Sequence, residues 1–330
     1  MIAGEIGAIE GLANSMYESH PKKVFNRLGL GLLGLVLAMN IVAAIIMLIV
    51  KHFVPDLYAA SWFMLVLNDF VELVIGLPIV CFILKTIPKQ EAEKKEAKAF
   101  SLLYLIVFAL VGVGLSYLLA IIVRLIVAAF AGQILVDNAS SLMQTSGMIP
   151  VILLGVIVSP IIEEVIFRGM VFKKVEPFGS KFAIIFTTIM FAFIHGSYDQ
   201  IIYVLPLGLI LGYVRSRTGS VKHTIVMHII FNALGIGLSY CPDMAVGAVT
   251  VFVVIFAIVM LIIWLSKKSY RNLQFYDGIY QKPTFKQVVF NPGMILYIVF
   301  CLLGVVLSLI PGLETDVQQT AQRITYLRFS

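Results

Sequence analysis

The chain has 330 residues, of which 60% are hydrophobic and 13% are charged, and its mean hydropathy is +1.01. Soluble proteins carry about twice this share of charged residues, so the composition excludes an ordinary water-soluble domain. The net charge is +6, and the three cysteines, Cys81, Cys241 and Cys301, lie too far apart in sequence for a disulfide framework or a zinc site built on paired cysteines.

Residues 1–21 precede the first long apolar run and lack the basic and apolar regions of a cleavable signal peptide. Within them Ile2, Ile6, Ile9 and Leu12 recur at helical spacing, which predicts a short amphipathic helix on the membrane surface. We expect the first apolar run to be an uncleaved membrane anchor.

Nine apolar runs follow along the chain, each bounded by charged residues, Pro or Gly. A helix needs about 20 apolar residues to cross about 30 Å of hydrocarbon, and the fifth and sixth runs are short by this measure. We therefore predict an all-α polytopic transmembrane helical bundle with about 8–9 spans. The runs cover residues 28–50, 59–84, 102–131, 149–172, 182–196, 200–214, 221–240, 246–265 and 293–310.

Most of the 24 Lys and Arg residues lie in the loops on one side of the predicted membrane. The other side holds Lys51, Arg323 and Arg328, while Arg124 and Arg168 lie within spans. Because basic loops stay cytoplasmic, the N-terminus is expected to be cytoplasmic and the C-terminus outside. The positive net charge is therefore accounted for by the orientation of the protein in the lipid bilayer, and we predict no nucleic-acid partner.

Three glycines of the first run, Gly29, Gly31 and Gly34, have the spacing of a dinucleotide-binding loop. They lie inside an apolar run, without the preceding strand that such a loop requires. Small residues at this spacing predict that two helices approach each other closely.

A first set of polar residues lies inside the predicted membrane, where a charge costs about 2.5–3.5 kcal/mol on insertion scales. The second span carries Asn68, Asp69 and Glu72, and the third carries Arg124. An interhelical ion pair is the main interpretation, and an ion pathway is the alternative.

A second, larger set is spread over three spans and falls near the midplane when depth is counted at about 1.5 Å per residue. Its members are Glu163, Glu164 and Arg168 on the fourth span, His195 on the fifth, and His228 and Asn232 on the seventh.

Spacing within each helix suggests partners for this set. Glu164 and Arg168 are four residues apart, which predicts an ion pair, and Glu163 points about 100° away from them. A desolvated carboxylate beside a histidine has the chemistry of a general base acting on water. His228 and Asn232, also four apart, can donate to the oxyanion formed when that water attacks a carbonyl. Either histidine taken alone is more commonly a packing residue.

Three motifs in chain order carry a resemblance to a known family. Glu163-Glu164-Val-Ile-Phe-Arg168 resembles EExxxR, Phe191-Ala-Phe-Ile-His195 resembles FxxxH, and His228-Ile-Ile-Phe-Asn232 resembles HxxxN. Together they are similar to the signatures of the CAAX protease and bacteriocin-processing (CPBP, or Abi) family of intramembrane proteases. This family includes the type II CAAX prenyl endopeptidases, and the resemblance covers about residues 149–240.

The resemblance implies a role for each matching residue. Glu163 would activate the attacking water with help from His195, and His228 and Asn232 would stabilise the oxyanion. The reaction would be endopeptidase hydrolysis of a membrane-associated or prenylated protein or peptide near the cytoplasmic side. A catalytically silent scaffold that regulates a membrane sensor or a peptide exporter is the alternative.

The same resemblance gives three further residues supporting roles. Glu164 and Arg168 would hold the site together, and Phe191 would line it. It also implies an eight-helix core, and the expected location is a bacterial or archaeal cell membrane.

Zinc is the alternative to a metal-free mechanism, since Glu163, His195 and His228 could in principle bind it. The HExxH motif is absent from the sequence. The same residues also suffice for a glutamate-activated water, so we expect no cofactor.

Three segments are predicted along the chain. Residues 1–100 form an N-terminal interfacial segment with two transmembrane helices and a charged cytoplasmic loop, and residues 101–265 form the CPBP-like catalytic bundle. Residues 266–330 form a cytoplasmic aromatic loop, the last transmembrane helix and a tail.

Overall fold

The computed structural model describes residues 15–90, 100–131 and 148–308. Within these ranges the chain is helical without strands, and nine helices form the bundle. They are α1 (Pro21–Phe53), α2 (Phe63–Leu84), α3 (Leu102–Ala131), α4 (Met148–Phe178), α5 (Ser180–Phe193), α6 (Tyr198–Thr218), α7 (Val221–Leu238), α8 (Asp243–Ser266) and α9 (Pro292–Ser308). The amphipathic helix predicted on Ile2 to Leu12 and the predicted tail lie outside the described residues.

Each predicted apolar run corresponds to one of these helices. Seven are long and apolar enough to cross a membrane, and α5 and α9 are shorter apolar helices. The prediction of a short sixth run was wrong, because the helix extends beyond the apolar run to Thr218. The predicted all-α polytopic bundle is confirmed, and the chain is an integral multi-pass membrane protein.

Tight turns join the four helices from α4 to α7. Gly179 separates α4 from α5 with φ at +112°, and Gly219 ends α6 with φ at +64°. Only glycine adopts such angles without strain. The next residue, Ser220, accepts a hydrogen bond from the Lys222 amide and so caps α7. These short connections make α4, α5, α6 and α7 neighbours in space.

Loops of the same predicted sidedness gather at one end of the bundle, the end at which α1 begins. The Pro88 carbonyl after α2 accepts hydrogen bonds from the Tyr17 hydroxyl at 3.4 Å and from Lys174 Nζ near the end of α4 at 3.3 Å. Arg217, near the end of α6, donates to Gln274 in the loop after α8 at 3.1 Å. The loops that the charge pattern assigned to one side are therefore together.

Two buried apolar clusters meet at the centre of the bundle. One joins α1, α2, α4, α5, α6 and α9, and the other joins α3, α6, α7 and α8. Phe191 of α5 belongs to the first cluster, and Met227 and Phe231 of α7 belong to the second. The polar motif residues of α4, α5 and α7 lie between the two clusters.

The glycines of α1 allow the close helix contacts predicted from their spacing. A Cβ atom on Gly31 would lie 2.7 Å from Leu84 of α2, and one on Gly34 would lie 2.5 Å from Ile79 of the same helix. A Cβ atom on Gly29 would overlap the backbone nitrogen of Met294 in α9. The prediction is confirmed, and α1 packs directly against both α2 and α9.

Substituting Gly29 by Ala is expected to lower the stability of the bundle by about 1–3 kcal/mol, because the added methyl group meets α9 backbone that must shift. Gly237→Ala in α7 is the matched control, since nothing lies within 4 Å of its added Cβ and Ala favours the helix. Thermal unfolding in detergent measures both variants. Equal melting temperatures for the two would contradict the contact between α1 and α9.

Candidate active site

A fully buried ion pair on α4 lies at the base of the site. Arg168 Nη1 lies 3.0 Å from Glu164 Oε1, and both side chains are fully buried. The pair forms because residues four apart share one face of a helix. The ion pair predicted from the sequence is confirmed.

Arg168 also ties α4 to α6. Its Nη2 atom donates to the carbonyl of Gly208 at 3.3 Å, and its own carbonyl accepts from Arg215 Nε at 2.9 Å. A guanidinium can donate in several directions at once, so one buried arginine links a carboxylate and a neighbouring helix. The position of Glu164 is thereby fixed from two helices.

The ring of Phe191 forms an apolar wall that contacts both the Arg168 guanidinium and the two histidine rings. The Arg168 guanidinium lies over its ring, 4.4 Å from the centroid, in a cation–π contact. Its edge-to-face contacts reach His195 at 5.1 Å and His228 at 5.8 Å between ring centroids. The structure therefore places Phe191 in contact with both histidines.

His228 of α7 bridges the two glutamates of α4. Its Nδ1 atom lies 3.0 Å from Glu164 Oε1, and its Nε2 atom lies 3.7 Å from Glu163 Oε2. An ionised carboxylate only accepts hydrogen bonds, so Nδ1 donates to Glu164 and the ring orientation is set by that bond. The longer distance to Glu163 exceeds that of a direct hydrogen bond.

Glu163 is the more accessible of the two glutamates. Its side chain is 17% exposed, whereas that of Glu164 is fully buried. The difference follows from their adjacent positions on one helix, which point the two side chains about 100° apart. Glu164 therefore serves the internal network, while Glu163 remains open to an incoming group.

His195 and Asn232 bond to backbone carbonyls. His195 Nδ1 lies 2.9 Å from the carbonyl oxygen of Phe191, one turn earlier on α5. Since a carbonyl only accepts, Nδ1 carries the hydrogen and Nε2 is the nitrogen available to other partners. Asn232 Nδ2 donates to the Gly155 carbonyl at 2.9 Å and so links α7 to α4.

A cavity of about 210 Å³ lies beside His195. Its walls include Asn40 of α1 and Phe300, Cys301 and Gly304 of α9. The first and last helices of the described bundle therefore border the segment that carries His195.

The motif residues thus come together, and one of the two histidines contacts Glu163. The imidazole in contact with Glu163 is that of His228, and the help that the resemblance assigns to His195 in activating water stays a prediction. His228 makes this contact because the Glu164 bond turns its ring so that its second nitrogen faces Glu163.

Two further carboxylates, on α2, lie next to this site. Asp69 Oδ1 accepts a hydrogen bond from Ser159 Oγ of α4 at 2.8 Å, and electrostatic interactions link Asp69 and Glu72 to Glu163. In the sequence, these two carboxylates were marked by lying three residues apart in the middle of an apolar span. The predicted pairing with Arg124 stays a prediction.

Zinc does not fit the side chains as they are placed. In the parts of the chain that the structure describes, no group of three or more His, Cys, Asp or Glu side chains is arranged to hold a metal ion. The Nδ1 atoms of His195 and His228 are already bonded, to a carbonyl and to Glu164. We therefore derive no step through zinc, and metal independence stays a prediction.

Comparison with known families singles out the segment that builds this site. Residues 145–234 match the Rce1-like family. The family is described as type II CAAX prenyl endopeptidase Rce1-like, and the match confirms the resemblance predicted from the three motifs. This Rce1-like segment runs from the start of α4 into α7 and indicates a membrane-embedded protease that acts on protein or peptide substrates. No curated protein and no solved structure matches the chain.

Proposed function

We propose that this Rce1-like protein is an intramembrane endopeptidase that hydrolyses a peptide bond of a membrane-associated or prenylated protein or peptide. The observation that carries the proposal is the contact of a partly accessible carboxylate, Glu163, with an imidazole whose orientation is fixed by a buried ion pair. The Rce1-like match to the same segment supports it.

In the proposed reaction Glu163 acts as general base. It accepts a proton from water while the water oxygen attacks the carbonyl carbon of the scissile bond. The carbonyl π electrons move to the oxygen and form an oxyanion. As the carbon–nitrogen bond breaks, the Glu163 carboxyl returns the proton to the leaving amine and is ready for another cycle.

The two histidines and Asn232 complete the proposed site. The bond from His228 Nδ1 to Glu164 holds its Nε2 beside Glu163. When both ring nitrogens carry a hydrogen, the one on Nε2 would stabilise the oxyanion. His195, held through Nδ1, offers Nε2 to the attacking water. The Asn232 amide has a second hydrogen beyond the one donated to Gly155, and that hydrogen completes the oxyanion donors.

The proposed orientation has the N-terminus in the cytoplasm. The end of the bundle at which α1 begins carries Lys22, Lys23, Lys174 and Arg217, and such basic ends remain on the cytoplasmic side. Cleavage near this side would act on proteins or peptides anchored at the inner membrane surface.

A comparison of new protein termini in membranes tests the proposed function and identifies the substrate at the same time. Cells would express either the wild type or Glu163→Gln at matched abundance, and N- and C-termini would be mapped in both. Termini found only with the wild type would support proteolysis and name the bond. Identical termini from two folded, abundant proteins would overturn it and favour the scaffold.

Metal removal is expected to leave proteolysis unchanged, because the site as placed lacks a three-ligand group within the described residues. The measurement is cleavage by purified protein before and after dialysis against a chelator, together with elemental analysis. Stoichiometric zinc that is lost together with activity would contradict the metal-free mechanism.

A further inference from the structure

Helices α2 and α4 lie side by side in matching register. Ser159 Oγ of α4 donates to Asp69 Oδ1 of α2 at 2.8 Å, and Cys81 Sγ of α2 lies 3.8 Å from Met170 Sδ of α4. From the first contact to the second is twelve residues on α2 and eleven on α4. Two helices that advance by nearly the same number of residues between two contacts run parallel, since each residue adds about the same rise.

This register places Glu72 level with Glu163. Glu72 is three residues beyond Asp69, and Glu163 is four residues beyond Ser159, so each carboxylate lies one turn past the hydrogen-bonded pair. The electrostatic interaction of Glu163 with Glu72 agrees with this placement. A glutamate from outside the Rce1-like segment therefore lies level with the proposed base, within range of its electrostatic influence.

Glu72 is too deeply buried to be an ordinary surface residue. The residue is 3% exposed, and its Oε1 atom has no hydrogen-bond partner within the described part of the chain. Leaving a buried polar atom unpaired is costly, so such an atom calls for an explanation. None of the three motifs accounts for it.

We propose that Glu72 is a positioning residue of the same active site, and that it holds a proton in common with Glu163 across the contact between α2 and α4. The inference rests on the proposed function. Two neighbouring carboxylates that are largely shielded from water do not both ionise readily, so the pair keeps one proton between them. The bond from Ser159 to Asp69 fixes the part of α2 that carries Glu72.

In the catalytic cycle Glu72 keeps its proton while Glu163 exchanges one with substrate. The ionised Glu163 takes a proton from water and later gives it to the leaving amine, so the pair ends with the proton count with which it began. Helix α2 thereby sets the pH range over which Glu163 is ionised and able to act as base.

Several other charged groups influence this pair. On α1, which also packs against α2, the sequence carries no charged residue between Arg27 and Lys51. The remaining groups near the pair are Asp69 on α2, Glu164 and Arg168 on α4, and His228 on α7.

The test is the pH dependence of cleavage by wild type and by Glu72→Gln, both purified as full chains and matched for folded amount. The amide keeps the shape of the side chain but removes the second carboxyl group. Ionised Glu163 then loses the shared proton that stabilises it, so the acidic limb of the rate profile should move to higher pH by about one unit. Glu72→Leu, which is also neutral, should move the limb in the same direction.

Glu18→Gln is the matched control, because Glu18 is exposed on the segment before α1 and should leave the profile unchanged. An acidic limb that coincides with the wild-type limb in both Glu72 variants would overturn the inference while leaving the protease intact. A wild type without any Glu163-dependent cleavage would overturn the proposed function itself.

Discussion

Replacing Glu163 by Gln is expected to lower the rate of peptide-bond cleavage by about 10²–10⁴-fold, the usual contribution of a general base. The amide has the same size but cannot accept the proton of the attacking water. The side chain is partly exposed and its contact with His228 is 3.7 Å long, so folding should not depend on its charge. Initial cleavage rates of purified protein in lipid vesicles measure the effect.

Two comparisons make this result specific. Glu18→Gln makes the same chemical change on an exposed residue and should retain the wild-type rate. His228→Ala should also lose activity, because its ring contacts both glutamates. If Glu163→Gln cleaves as fast as Glu18→Gln, Glu163 is not the base.

Replacing Arg168 by Ala is expected to destabilise the folded protein by about 3–5 kcal/mol, because it leaves the buried Glu164 carboxylate without its ion-pair partner. The substitution also removes the hydrogen bond to Gly208 and the cation–π contact with Phe191. The amount of protein in membranes and its melting temperature in detergent should both fall.

Arg217 supplies the matched control for this loss. It lies near the end of α6 and donates an exposed hydrogen bond to Gln274, so Arg217→Ala should cost no more than about 1 kcal/mol. The double variant Glu164→Gln with Arg168→Gln should recover part of the stability lost by either single change. Equal stability of Arg168→Ala and Arg217→Ala would show that the buried pair does not hold the bundle together.

The helices were predictable because hydropathy is a local property. A run of apolar residues of sufficient length forms a membrane helix whatever its neighbours, and all nine runs correspond to helices. The contact between Glu164 and Arg168 was predictable for the same reason, since both lie on one turn of one helix. The glycine spacing on α1 likewise indicated a close helix contact, although it did not identify α2 and α9 as the partners.

Contacts between helices were harder to predict from the sequence. The position of Glu72 opposite Glu163 depends on α2 lying beside α4 in register, and nothing in either segment specifies that neighbour. The contact of His228 with Glu163 likewise depends on how the Glu164 bond turns the imidazole. Asn232 was predicted as an oxyanion donor from its spacing, but its bond to Gly155 depends on how α7 packs against α4.

The contact between α1 and α9 has a consequence for biogenesis. Asn26 Oδ1 accepts a hydrogen bond from the Gly293 amide at 2.8 Å, across 267 residues of sequence. A ribosome adding about 5–20 residues per second needs on the order of 10–50 seconds to make that stretch. During this interval the glycine-rich face of α1 is already in the membrane while its last neighbour is still unmade. Lipid or an insertion chaperone must therefore cover that face until translation is nearly complete.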